Sequence, residues 1–141
     1  MTASGLFALA PLLVLAAGAT LVMLQIAFMR SMRLTEALSV ITMLLAALSV
    51  LPAAENSPQQ VTPLLQADRL ALALCALFSL AGAFTAALSG DYLRRRGDEP
   101  EEYFLLLILS TMGACVLAYA VHLGSLLLGL ELMSIALYAL I

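Results

Sequence analysis

Apolar residues fill this chain in blocks too long for a soluble domain, and polar positions fall between the blocks rather than alternating within them. The first block covers residues 5–29 and ends at Arg30 and Arg33, with Pro11 in its first turns, where a missing N–H is best tolerated. A short link, RSMRLTE, leads to a second block over 34–51 that stops at Pro52, so the pair reads as a tight helical hairpin. Residues 52–68, PAAENSPQQVTPLLQAD, carry three prolines with Asn56, Ser57, Gln59 and Gln60, which is loop composition. A third block spans 69–89. Within and just beyond it, Gly82, Ala86 and Gly90 recur every four residues, a stripe that lets another helix approach closely; ordinary alanine-rich membrane sequence gives the same spacing, and both readings stand.

The segment DYLRRRGDEPEE reads as a solvated loop. From Tyr103 the chain is apolar to Ile141, about 58 Å if helical throughout, nearly twice what a hydrocarbon core accepts. It must turn back, and the least apolar place is Tyr119 to Gly124, giving a fourth helix over 103–120 and a fifth over 122–141. The predicted fold is all-α: a polytopic membrane protein of five transmembrane helices in a single transmembrane region over 1–141. The final SIALYALI stops inside an apolar run, which predicts a chain truncated at its C-terminus.

Composition removes the alternatives to a membrane protein. Of 141 residues 64% are hydrophobic and 11% charged, with a mean hydropathy of +1.09. The net charge is −3 and no basic patch of the size nucleic acid requires is present, so nucleic acid is excluded as a partner. Cys75 and Cys115 lie inside apolar runs without metal-ligand spacing and read as reduced, structural thiols; no metal site is expected. The N-terminus lacks the cationic region of a signal peptide, so the first block reads as a helix. Arg30, Arg33, Arg94, Arg95 and Arg96 fall after the first and third helices and only Arg69 on the other side, which orients the N-terminus outside. Phe28, Tyr92, Tyr103 and Phe104 then fall at the inner interface, as an aromatic belt requires.

The chemistry lies in the last block. VHLGSLLLGLELMSIALYALI holds one acidic residue, Glu131, nine residues after His122, or about 13 Å of helix rise. With His122 at a membrane surface, Glu131 lies near the midplane of a ~30 Å core, where a carboxylate must be protonated, paired or hydrated. The sharp reading is proton handling; the bland one is a neutral glutamic acid bonding a neighbouring helix as glue. At 100° per residue Gly124, Glu131, Ser134 and Tyr138 share one face, which makes Ser134 and Tyr138 a polar path to the carboxylate. His122 falls on the opposite side at the helix mouth and reads as a capping or interfacial residue before a relay. The chain has no lysine and no arginine in a helix interior, so a cationic partner for Glu131 must come from outside it. No phosphate loop, nucleophile set, haem pair or cysteine cluster is present, so no cofactor is expected in this chain.

The run EEYFLLLILSTMGACVLAYAVHLGSLLLGLELMSIALYAL resembles the fourth and fifth helices of the subunit N family of proton-pumping NADH:quinone oxidoreductase, respiratory complex I. LFALAPLLVLAAGATLVML, the LSV of the second block and VTPLLQAD resemble that family's first three helices in order and spacing. The similarity covers essentially the whole chain, and HLxSLxxGLELxS is its most specific part. Related antiporter-like subunits of complex I, of cation/proton antiporters and of membrane-bound hydrogenases share the fifth-helix glutamate. By this resemblance Glu131 matches that glutamate, which pairs with a lysine two helices later, and Ser125, Gly129 and Ser134 fit the pattern. Val121, Ala136 and Ala139 stand where the family commonly has Asn, Pro and Gly, so the family's local helix geometry is not carried over near Ala136.

The resemblance implies the N-terminal third of a non-redox subunit, inactive alone, in the multi-pass inner membrane of a bacterial cell. Its partners would be the bilayer and other complex I membrane subunits, with NADH, flavin, iron–sulfur clusters and quinone held by other subunits. Two further readings compete: a subunit of a cation/proton antiporter or hydrogenase, and a small complete membrane assembly or scaffold protein, which predicts a stop codon after Ile141.

Overall fold

Five helices long and apolar enough to cross a membrane lie along one another in the computed structural model, which describes residues 3–55, 57, 59–96 and 101–141. The chain runs α1 (Ala3–Ala8), α2 (Ala10–Phe28), α3 (Met32–Glu55), β1 (Gln59–Thr62), β2 (Leu65–Ala67), α4 (Arg69–Arg96), α5 (Glu101–Tyr119) and α6 (Leu123–Leu140). The five spans are α2 to α6, and the chain is an all-α polytopic membrane protein.

The first block is broken at Leu9 into α1 and α2. Pro11 explains the break, because it has no N–H for the Phe7 carbonyl and its ring crowds that oxygen. The hydroxyl of Tyr119, buried at the end of α5, donates to the Ala8 carbonyl (3.1 Å) and fastens the broken turn to the bundle.

Three expectations about helix ends and loops are corrected. Helix α3 does not stop at Pro52 but continues to Glu55: a proline this near the end costs one ladder bond, and the chain carries the turn past it. Part of the expected loop over 52–68 is a β-hairpin, with β1 and β2 antiparallel and a register shift between Gln60 and Thr62. Pro63 occupies the turn, where its fixed φ is an asset, and the Thr62 hydroxyl accepts the Leu65 amide (3.1 Å). The charged segment DYLRRRGDEPEE is mostly helical: α4 runs through Arg96 and α5 begins at Glu101, with residues 97–100 outside the described set. Three arginines in the last turn of α4 and two glutamates in the first turn of α5 suit the helix dipoles. At 28 residues, about 42 Å, α4 outlasts a hydrocarbon core and projects into water.

Packing in lipid depends on close contact rather than on transfer from water, and small residues provide it. Gly82, Ala86 and Gly90 are all buried; Gly82 faces Met43 of α3 and Thr111 of α5, and Gly90 lies under the Glu36 side chain. Leu15, Val22, Met43, Leu72, Cys75, Ile108 and Cys115 form the centre. The two cysteines are free and face each other, each sulfur near the other residue's carbonyl oxygen (3.9 and 4.0 Å). Phe104 departs from the expected aromatic belt. It is fully buried beside Met32 and Ala86 and set edge-on to Tyr103 at 5.4 Å, whereas Phe28 and Tyr92 are exposed. At the first turns of α5 the helix face, not proximity to the interface, decides which aromatic turns inward.

Candidate functional site

The carboxylate singled out by the sequence sits on α6, and two local devices start that helix. His122 is its N-cap, with extended backbone, and its Nδ1 accepts the Gly124 amide at 3.1 Å. This satisfies an amide that would otherwise lack an intrahelical partner, the capping role the sequence favoured over a relay. Ser125 is buried and its hydroxyl lies 2.8 Å from the carbonyl oxygens of both Leu64 and His122. Leu64 also accepts the Val121 amide (3.2 Å), and Leu65 bridges to Ala120, so the hairpin between α3 and α4 straps the turn between α5 and α6. The strap was not legible from the loop composition of 52–68.

Along its length α6 rests chiefly on α5. A methyl group added to Gly113 would come within 2.7 Å of the Met133 amide nitrogen and 3.0 Å of the Gly129 carbonyl oxygen; one added to Gly129 would lie 3.0 Å from the Leu117 amide nitrogen. The two backbones are therefore nearly in contact, and Ser125, Gly129 and Ala136 form the buried face of α6. Facing α5 fixes what faces away. Glu131, the ninth of eighteen residues in α6, lies on the exposed side with Leu127, Leu128, Ile135 and Tyr138, and Ser134 is half-buried at its edge. Only 17% of the α6 span is buried, against 28–39% for the other four.

Among the described residues the Glu131 side chain makes no hydrogen bond and no ion pair. The ion pairs among the described residues lie at the other end of the bundle. Arg94 of α4 bonds Glu36 of α3 at 3.0 Å and Asp91 at 2.6 Å, while Arg30, after α2, reaches Glu101 (3.4 Å) and Glu102 (3.1 Å) at the start of α5. Glu101 is only 2% exposed and Glu36 is partly buried, neither of which the sequence singled out. No group of three or more His, Cys, Asp or Glu side chains able to hold a metal occurs among the described residues.

The site is thus one carboxylate at mid-span, on the face that the rest of the chain leaves open. Two curated relatives match this chain along essentially its whole length. One, from Methylococcus capsulatus (strain ATCC 33009 / NCIMB 11132 / Bath), is 48% identical over 142 residues, and one from Ectopseudomonas mendocina (strain ymp) is 43% identical over 145. Both are named NADH-quinone oxidoreductase subunit N. The chain is similar to the N-terminal part of that subunit. It spans 29% of the length of each relative, while the matches cover 100% and 99% of the chain itself. No family model matches. The similarity to subunit N thus takes in all five spans, the hairpin and the helix that carries Glu131.

Proposed function

We propose that this chain forms the N-terminal five-helix part of a non-redox membrane subunit of a bacterial proton-pumping NADH:quinone oxidoreductase, and that Glu131 is one charged element of its proton path. The observation that carries the reading is the placement of Glu131: a carboxylate at mid-span, unpartnered among the described residues, on the open face of α6. A carboxylate turned toward lipid would be held neutral at high cost, so this face suits a protein neighbour that brings a counter-charge and water. The names of the relatives, and their greater length, support a subunit that continues with further helices.

In this reading a lysine from the remainder of the subunit faces Glu131. An opposite charge within ~4 to 6 Å favours the ionised carboxylate, which desolvation alone would disfavour. When the lysine moves away or its charge is lost, Glu131 loses that stabilising charge, which couples charge separation in the neighbouring segment to proton movement. Ser134 and Tyr138 supply hydroxyls along the same side of α6 for proton entry or exit. NADH, flavin, iron–sulfur clusters and quinone are assigned to other subunits, and the N-terminus to the outer side of the inner membrane.

The test is Glu131→Gln in the complete complex, assayed for quinone-reductase rate and for proton uptake into vesicles. The amide keeps size and hydrogen bonding but loses the charge, so coupled activity should fall steeply, by about tenfold or more. A complex that assembles normally and pumps at the wild-type rate would show that the carboxylate is helix-packing glue.

A further inference from the structure

The end of the bundle away from the α5–α6 turn carries a second feature that the proton path does not use. Between α3 and α4 a groove of about 520 Å³ is lined by Arg33, Glu36, Ala37, Val40 and Ile41 on one side and Ala87 and Arg94 on the other. Positions 33, 36/37 and 40/41 recur at helical spacing, so the α3 wall runs from a cation at the membrane boundary about 12 Å into the hydrocarbon. Ala37 and Ala87 keep the groove open, and Val40 and Ile41 make its inner wall apolar. The charged residues in its lining are Arg33, Glu36 and Arg94, so the mouth is net positive by one. Glu36 and Asp91 are both engaged by Arg94, whereas Arg33 is exposed and, among the described residues, has no carboxylate partner.

We propose that this groove is a binding site for an anionic phospholipid, with the headgroup phosphate at Arg33 and an acyl chain along Ala37, Val40, Ile41 and Ala87. Charge complementarity selects the occupant. A protein helix with an apolar face would leave the Arg33 guanidinium unpaired at the interface, and a zwitterionic lipid would bring an ammonium group against a mouth that is already net positive. An anionic headgroup satisfies Arg33 while the chain covers the apolar wall, and the Arg94–Glu36 pair stays intact beside it. The groove between α2 and α5, lined by Ala16, Ala19, Thr20, Met23, Leu105, Leu109 and Met112, has no charge and serves as an internal comparison.

The complete product of this gene, with whatever subunits accompany it, is placed in phosphatidylcholine nanodiscs. These contain a few per cent of phosphatidylglycerol, or of phosphatidylcholine, bearing a diazirine in one acyl chain, and adducts are mapped by peptide mass spectrometry after irradiation. The phosphatidylglycerol probe should label residues 37–41 and 87 in excess over the phosphatidylcholine probe, while both label the α2–α5 groove equally. Arg33→Gln should lower phosphatidylglycerol adducts at 37–41 about fivefold without changing those at 16–23, and Arg33→Lys should retain most of them. Equal labelling by the two probes, insensitivity to Arg33→Gln, or absence of adducts at 37–41 while 16–23 is labelled would each overturn the site, the last by showing that a protein neighbour fills it.

Discussion

The Ser125 hydroxyl and the Leu64 carbonyl oxygen lie 2.8 Å apart although 61 residues separate them in sequence. Through this contact the β-hairpin positions the start of the helix that carries Glu131. Ser125→Ala removes the donor and leaves Leu64 with the Val121 amide alone. A stability loss of about 1 kcal/mol is expected, together with faster hydrogen exchange at residues 59–67 and 120–126 in the intact protein. Unchanged exchange in both segments would mean that the strap is held by the Val121 and Ala120 backbone contacts without Ser125.

The near-contact of α5 and α6 predicts a sharp difference between two glycines. Gly113→Ala places a methyl group against the Met133 and Gly129 backbone, which cannot yield without parting the helices. It should cost about 1–3 kcal/mol and reduce the amount of assembled subunit in the membrane. Gly124→Ala meets only the His122 ring at 3.5 Å and should assemble normally. Equal amounts of both variants would show that the helices separate more readily than this packing allows.

Within the proposed mechanism the substitutions on the open face of α6 form a graded series. Glu131→Asp keeps the charge with a reach one methylene shorter and should retain more pumping than Glu131→Gln. Ser134→Ala should cost least, because water can replace its hydroxyl. The ratio of protons moved to quinone reduced, compared at equal complex content, reads this order directly; a larger loss in Ser134→Ala than in Glu131→Asp would reverse the assignment of roles.

The five spans place the α3–α4 and α4–α5 connections on opposite sides of the membrane. Single cysteines at Ser57 and at Gly97, the latter outside the described residues, should therefore react with an impermeant thiol reagent from opposite sides once Cys75 and Cys115 are replaced. In the proposed orientation, with the N-terminus outside, Gly97 lies inside. Labelling of both from one side would contradict five spans, and Ser57 reacting from within would invert the orientation.

The spans were legible because apolar blocks of membrane length leave few alternatives, and the turn at residues 120–122 followed from the excess length of one block. Helix ends were less so. Asp91 to Arg96 and Glu101 to Glu102 read as loop by polarity, but their charges suit the helix termini on which they fall. The hairpin was hidden because Pro63 signals a turn without saying whether strands flank it. The shared face of Glu131 and Tyr138 follows from helical arithmetic, yet which way it points is decided by Gly113 and Gly129, whose spacing alone does not reveal a pair of touching backbones.

The two ends of the bundle are fastened by different kinds of contact. At one end Arg30 joins Glu101 and Glu102, and Glu36 joins Arg94, with Arg30 largely in contact with solvent. At the other, neutral hydrogen bonds from Tyr119, Ser125 and Val121 to backbone carbonyls hold the strap and the broken first helix. Dissolved salt screens exposed charges over a distance of about 10 Å at 0.1 M but has little hold on buried neutral bonds. Rising ionic strength should therefore slacken the bundle from the arginine side alone, giving it a stiffness that differs along the membrane normal and a soft end that responds to the composition of the adjoining solution.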